Sequence, residues 1–348
     1  MPIRVLIADD NPAAREQLAQ IIESTPDMQT VGLATNGSQA VQMAKGIHPD
    51  VIVMDALIPH MDAIEAIREI MDVNPVPIVV VCTAAASREA NVALEAVQAG
   101  ALAVLQKPGA PQLPDYQATI KELVNSVRAM SGVHVIRHSR VGHAQTLDIS
   151  KLTASAGWDS KLKPEIVSIV ASTGGPQTLS EIVKHLSPTF NLPIVIVQHI
   201  TADFVVPLVR WLSTISRIPV EVACAGEYPA PGKIYFAPAR THLRLTSNHQ
   251  FEMSDVPKNV PHIPSGDIFL ESVARHYGSR AVGIVLTGMG NDGAHGLLAM
   301  YDAGAITVAQ DADSCVVFGM PQEAIALGAV RQTLNPTEIS KLLLQYTN

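Results

Sequence analysis

The sequence predicts an α/β chain of two successive units: an N-terminal five-stranded parallel sheet, and a C-terminal doubly wound, mostly parallel sheet. Three observations predict it. Short apolar runs alternate with amphipathic helical stretches along most of the 348 residues, the pattern of buried parallel strands joined by crossover helices. Polar residues interrupt the apolar runs of the first unit only at their carboxyl ends. From Ser131 to Lys163 the periodicity fades into Ser, Gly, His and Arg mixed with short apolar pieces, which reads as a linker. The expected division is therefore 1–130, a linker over 131–163 with a short helix near Leu147–Ser155, and 164–348.

In the first unit the strands are expected at Val5–Ala8, Thr30–Leu33, Val51–Met54, Ile78–Cys82 and Ala103–Leu105, with helices between them and a last one over Tyr116–Met130. Their carboxyl ends carry Asp9 and Asp10, Asp55, Thr83, and Lys107 with Pro108. An aspartate after a strand is often only a turn or cap residue. An ordered set at the ends of four strands asks for more. Three carboxylates gathered on one sheet edge repel each other unless a hard cation sits among them. Mg²⁺ suits such a sparse oxygen site and keeps several of its waters.

The second unit opens with an apolar strand, Ile166–Ala171, that meets a helix start at Ser172-Thr173-Gly174-Gly175-Pro176. A serine at such a turn stands proud of a sheet edge. Two glycines let another chain approach, and Pro176 suits the first helical turn, where its missing N–H costs nothing. A Ser/Thr cap before a proline is common, so this run alone decides little. A second strand, Ala281–Leu286, also ends at a helix start, through Thr287-Gly288-Met289-Gly290-Asn291-Asp292-Gly293. Between them in sequence, Ile194–Gln198 is a third apolar strand followed by His199. Ligands of parallel α/β sheets bind beyond the carboxyl ends of the strands, so these turns can share one crevice. Ser172, His199 and Asp292 supply a nucleophile, a base and an orienting carboxylate there. Each residue alone has a bland reading; three in matching positions favour chemistry. The remaining expected elements are a helix at Phe204–Ser216, a strand at Val220–Ala223, and a hairpin through Leu243–Thr246 and Phe251–Met253. Helices follow at Ile268–Tyr277 and Gly293–Asp302, then a strand at Ile306–Ala309 and a final helix at Thr337–Tyr346.

Composition excludes several classes. Hydrophobic residues make up 47% and charged residues 16%, which places the chain among globular proteins. The net charge of −8 offers no basic footprint for nucleic acid. The amino terminus enters a strand directly without a signal-peptide layout, and no apolar stretch is long enough to cross a bilayer, so a cytoplasmic protein without membrane insertion is expected. Cys82, Cys224 and Cys315 are odd in number and widely spaced, which argues against a disulfide or zinc framework. The Gly288–Gly293 loop lacks both the lysine of a P-loop and the spacing of a dinucleotide fold.

The runs around Ser172, His199 and Asp292 resemble the chemotaxis protein-glutamate methylesterase family (CheB type). Further matches are Gly232-Lys233-Ile234-Tyr235-Phe236-Ala237-Pro238, Arg240-Thr241-His242-Leu243, and Ala309-Gln310-Asp311 running on through Ser314 to Pro321. The N-terminal unit resembles that family's flavodoxin-like response-regulator receiver, so the resemblance spans essentially the whole chain. It implies a phosphorylation-regulated serine hydrolase of chemotaxis adaptation. Such an enzyme removes methyl esters from chemoreceptor glutamates as methanol, and family members also deamidate receptor glutamines. By the same resemblance, Ser172, His199 and Asp292 form the triad, and Thr173 and Met289 line the oxyanion hole. Asp55 accepts a phosphoryl group from a chemotaxis histidine kinase. Asp9, Asp10 and Asp55 hold Mg²⁺ for that phosphorylation, Thr83 and Lys107 contact the phosphate, and the hydrolase chemistry needs no cofactor. Departures from the family pattern are Ala63 after Met61-Asp62, Val104 in place of the receiver's usual switch aromatic, Val170 before the nucleophile turn, and Ile200 after His199. A helix-turn-helix output is not expected, because the glycine-rich, acidic second half offers no basic recognition helix.

Overall fold

The computed structural model describes residues 1–59, 61–83, 87–133, 163–255 and 262–346. Most of the expected linker, with its short helix over 147–155, lies outside the described residues. The first sheet is built from β1 (Ile3–Ala8), β2 (Met28–Ala34), β3 (Val51–Asp55), β4 (Ile78–Cys82) and β5 (Ala103–Gln106). Its order is β2-β1-β3-β4-β5 and every pairing is parallel. Residues of β3 and β4 are buried throughout, as a sheet covered on both faces requires. The helices are α1 (Pro12–Glu23), α2 (Gly37–Ile47), α3 (Ala63–Val73), α4 (Ser87–Ala99) and α5 (Tyr116–Met130). Short polar side chains start three of them: Asn11, Asn36 and Asp62 each accept a backbone N–H of the first turn. One core lies under α1 and α5, the other under α2, α3 and α4.

The second sheet has seven strands, all parallel: β6 (Ile166–Ala171), β7 (Ile194–Gln198), β8 (Val220–Val222), β9 (Ile234–Phe236), β12 (Ala281–Val285), β13 (Ile306–Gln310) and β14 (Gln332–Leu334). Their order is β14-β13-β12-β6-β7-β9-β8. A separate antiparallel hairpin, β10 (His242–Leu245) and β11 (Phe251–Ser254), packs on one face. The helices are α6 (Gly175–Val183), α7 (Val205–Ile215), α8 (Gly266–Tyr277), α9 (Ala294–Asp302), α10 (Met320–Ala326) and α11 (Pro336–Leu344). α11 starts on a full capping box, Asn335 with Glu338. Strands β9 and β14 and helix α10 were not expected as elements; three-residue strands and a seven-residue helix are too short to show a period. From β6 the chain runs outward through β7 on one side, and β12 is added later on the other. The topological switch therefore falls at β6, and a crevice opens above the ends of β7, β6 and β12.

The two units trade side chains. Leu94 of α4 is 3% exposed within the core under α6 and α7, and Phe204, just before α7, is 1% exposed within the core under α2 to α4. The Gln177 carboxamide of α6 also donates to the Ala101 carbonyl.

Candidate active site

Ser172 leaves β6 with its N–H bonded to the Thr287 carbonyl at 3.0 Å, while its own carbonyl accepts the Gly175 N–H at 2.8 Å. This closes a tight turn into α6. Gly174 has φ +79°, a left-handed conformation that side chains disfavour. A Cβ there would also meet the Val316 side chain at 2.5 Å. The turn thus needs its first glycine for both shape and space. His199 leaves β7 with its N–H bonded to the Ala171 carbonyl at 2.8 Å, which places it beside the serine turn.

His199 Nε2 lies 2.7 Å from Asp292 Oδ2, and both side chains are about nine-tenths buried, at 10% and 8% exposure. Asp292 is held from α8 as well. Its Oδ1 accepts Ser265 Oγ at 2.7 Å and Asp267 N at 3.1 Å, and its Oδ2 accepts Gly266 N at 2.6 Å. Burial acts to raise this carboxyl's pKa. The hydrogen bond and charge of His199, with the Gly266 and Ser265 donors, outweigh it and hold the group well below the usual carboxylate range. With Asp292 ionised, Nε2 carries the ring proton and donates it. Nδ1 is left with a lone pair, and it is buried without a hydrogen-bond partner. Asp267 in turn caps α9, its Oδ1 accepting the N–H groups of Gly293 and Gly296. The ring of His262 stacks on that of His199, centroids 4.6 Å apart and planes 12° apart. Burial, and then the His199 charge, lower the His262 pKa, with Asp292 opposing. Sequence reasoning did not single out His262, and a lone histidine before Ile263-Pro264 carries no signal.

Ser172, Thr173, His199, His262 and Met289 line a single cavity of about 840 Å³, with Asp292 behind His199. Its opposite wall is the first unit: Leu102 and β5 residues Ala103 to Gln106, and α5 residues including Glu122. The other nearby nucleophile is disabled. Burial first, and the Asp311 carboxylate second, push the Cys315 thiol up to about 12, so it stays protonated at neutral pH.

At the first sheet's edge, Lys107 Nζ lies 2.7 Å from Asp9 Oδ2 and pairs with Asp55 Oδ2. Asp9 Oδ1 accepts the Asn11 N–H at 2.9 Å, and Asp55 Oδ1 accepts the Leu57 N–H at 2.7 Å. Asp9 is fully buried, with the Lys107 ammonium against its Oδ2. That oxygen fits a cation ligand. Asp10 is exposed, and among the described residues no three His, Cys, Asp or Glu side chains gather as a metal site. Thr83 follows β4 and is exposed. Among the described residues no helix is long and apolar enough to cross a membrane.

Known proteins share this architecture. Residues 167–343 match the family described as CheB methylesterase, and residues 5–115 match the response regulator receiver domain. The chain is 39% identical to a protein-glutamate methylesterase/protein-glutamine glutaminase of Methanospirillum hungatei, over 98% of this chain and 97% of that one. It is 40% identical to one of Syntrophus aciditrophicus, over 99% and 98%. The crystal structure of the Thermotoga maritima CheB methylesterase catalytic domain covers 53% of this chain and 99% of its own, at 35% identity and a TM-score of 0.51. With a receiver domain ahead of its hydrolase sheet, the chain belongs to the CheB methylesterase family.

Proposed function

We propose that the chain is a chemotaxis enzyme that hydrolyses glutamate methyl esters on chemoreceptors, releasing methanol, under control of aspartyl phosphorylation. One observation carries this reading: Asp292 takes Nε2 of His199 at 2.7 Å and leaves Nδ1 without a partner beside the cavity that Ser172 lines. Ser172 Oγ attacks the ester carbonyl as Nδ1 takes its proton. The tetrahedral intermediate collapses when the His199 imidazolium returns that proton to the departing methanol. Water, deprotonated by the same nitrogen, then attacks the acyl-enzyme and restores Ser172 and a free glutamate. Asp292 holds the ring tautomer and stabilises the imidazolium. The use of Nδ1 toward serine and Nε2 toward aspartate reverses the assignment of the serine-protease triad. The N–H groups of Thr173 and Met289 face the developing oxyanion; those of Ser172 and Gly288 are already spent on the carbonyls of Thr287 and Val317. The same steps with ammonia leaving would deamidate glutamine.

In the receiver, spanning 1–130 and tethered through 131–163 to a catalytic domain over 164–348, Asp55 takes the phosphoryl group from a histidine kinase. Lys107 and Thr83 contact the phosphate. Asp9, Asp10 and Asp55 would hold Mg²⁺; the ion supplies charge neutralisation for the incoming phosphoryl oxygens. Because β5 and α5 wall the catalytic cavity, the unphosphorylated receiver restricts access of a bulky receptor helix. Phosphorylation shifts the population toward an open arrangement.

The test is methanol release from methylated receptor fragments. Ser172→Ala is expected to abolish it while the protein stays folded, and adding a His199 substitution should cost little more, because triad members act as a unit. Near-normal turnover by Ser172→Ala would overturn the serine mechanism.

A further inference from the structure

The last residue of β7 has a side chain that the proposed chemistry does not use. Gln198 is 4% exposed, and its Nε2 donates to two main-chain carbonyls at once: Ser172 O at 2.9 Å and His199 O at 2.9 Å. Both partners are acceptors, so the amide orientation is fixed by chemistry. Its Oε1 is buried without a donor and lies against Gly175, where a Cβ would overlap it. The turn does not need this bridge to satisfy its carbonyl, since Ser172 O already accepts the Gly175 N–H.

We propose that Gln198 is a positioning residue that aims the Thr173 N–H at the oxyanion and fixes the base relative to the nucleophile. This rests on the serine mechanism above. The argument is geometric. In a trans peptide the carbonyl and the following N–H point in opposite directions. Gln198 and the Gly175 N–H draw the Ser172 carbonyl inward, so the N–H of Thr173, on the same peptide plane, is turned out toward the cavity that Thr173 lines. The second bond from the same amide nitrogen ties that plane to the His199 main chain. The two ends of the catalytic couple are thereby set by one rigid carboxamide. The Gly175 position, with no room for a Cβ, is the counterpart of that packing.

The experiment uses the full chain with Gln198→Met, which keeps the volume and removes the donor, beside wild type and Ser172→Ala. Turnover and KM are measured by methanol release, and affinity is measured for an alkyl boronic acid, whose tetrahedral serine adduct needs the oxyanion donors. We expect kcat to fall about tenfold to a hundredfold, in the range of a misaimed oxyanion donor, with KM within about twofold. Boronate affinity should fall by the same factor. If Gln198→Met does not fold, Gln198→Glu, which keeps the shape but presents an acceptor to both carbonyls, is read by the same criteria. Unchanged kcat, a change confined to KM, or a kcat loss with unaltered boronate affinity would overturn the assignment. Activity surviving in Ser172→Ala would instead overturn the mechanism beneath it.

Discussion

The two sheets of this chain both gather carboxylates at their carboxyl edges, and they neutralise them differently. In the receiver, Asp9 and Asp55 share one flexible lysine, Lys107, whose ammonium reaches both from a single long side chain. In the hydrolase, Asp292 is gripped by the start of α8 through Ser265, Gly266 and Asp267, with His199 as the fourth donor. The first arrangement, held by one side chain, is free to rearrange. The second cannot move without breaking a helix start. On the proposed roles, an acceptor carboxylate has to exchange partners, whereas an orienting carboxylate has to keep them. The difference in supporting donors therefore separates the two roles more clearly than the residue type does.

The comparison predicts its own breaking points. The largest effect is expected for Asp292→Asn, which keeps the packing but removes the charge that sets the His199 tautomer; turnover should fall about 10⁴-fold in a methanol-release assay. A loss below tenfold would mean that Asp292 is not the orienting group. Asp55→Asn, in contrast, should leave that basal turnover within about twofold, while abolishing Mg²⁺-dependent labelling by acetyl phosphate. Labelling at the wild-type level would place the acceptor elsewhere. Next comes the interface between the two edges. Leu94→Asp puts a charge into the hydrolase core from α4, and basal turnover should rise about tenfold to a hundredfold, the equivalent of about 1.5–3 kcal/mol of lost apolar burial. An unchanged basal rate would rule out restriction by the receiver.

The pH dependence of stability sharpens the contrast further. The folded-state pKa of Asp292 is depressed, so its contribution is present above the ordinary carboxylate range and lost as pH falls through and below it. Chemical-denaturation curves of wild type and Asp292→Asn should therefore differ most near neutrality and converge below about pH 4. A gap that widens on acidification would contradict the depressed pKa. The smallest effect is expected for His262→Gln, which removes the ring stacked on His199. A few-fold loss in kcat/KM is expected, with an altered acidic limb of its pH profile, because the second ring also bears on the base's charge.

Much of this was legible in the sequence because parallel strands place their chemistry at their ends. Ser172, His199, Asp9, Asp55 and Lys107 stand at or just past the ends of apolar runs, with Asp292 in the loop after another, and their matching positions singled them out. What the sequence concealed depends on contacts across the fold. Gln198 read as the last residue of a strand, and only the meeting of two turns gives its amide two carbonyls. The expected start of α8, Ile268, came two residues late because Ser265-Gly266-Asp267 resembles an ordinary turn, yet that turn holds the carboxylate of Asp292.

Leu94 and Phe204, each buried in the opposite unit's core, have an energetic consequence for signalling. Withdrawing both into water would cost about 3–6 kcal/mol together, from the usual value of a buried large apolar side chain. On the proposed gating, that cost by itself would leave about one molecule in a hundred to one in twenty thousand open at rest. Driving a two-state population from one per cent to ninety-nine per cent takes about 5.5 kcal/mol of differential stabilisation. The exchanged pair thus matches the resting bias to what one phosphorylation event must overcome, and trimming either side chain would trade a tighter off state for an easier on state.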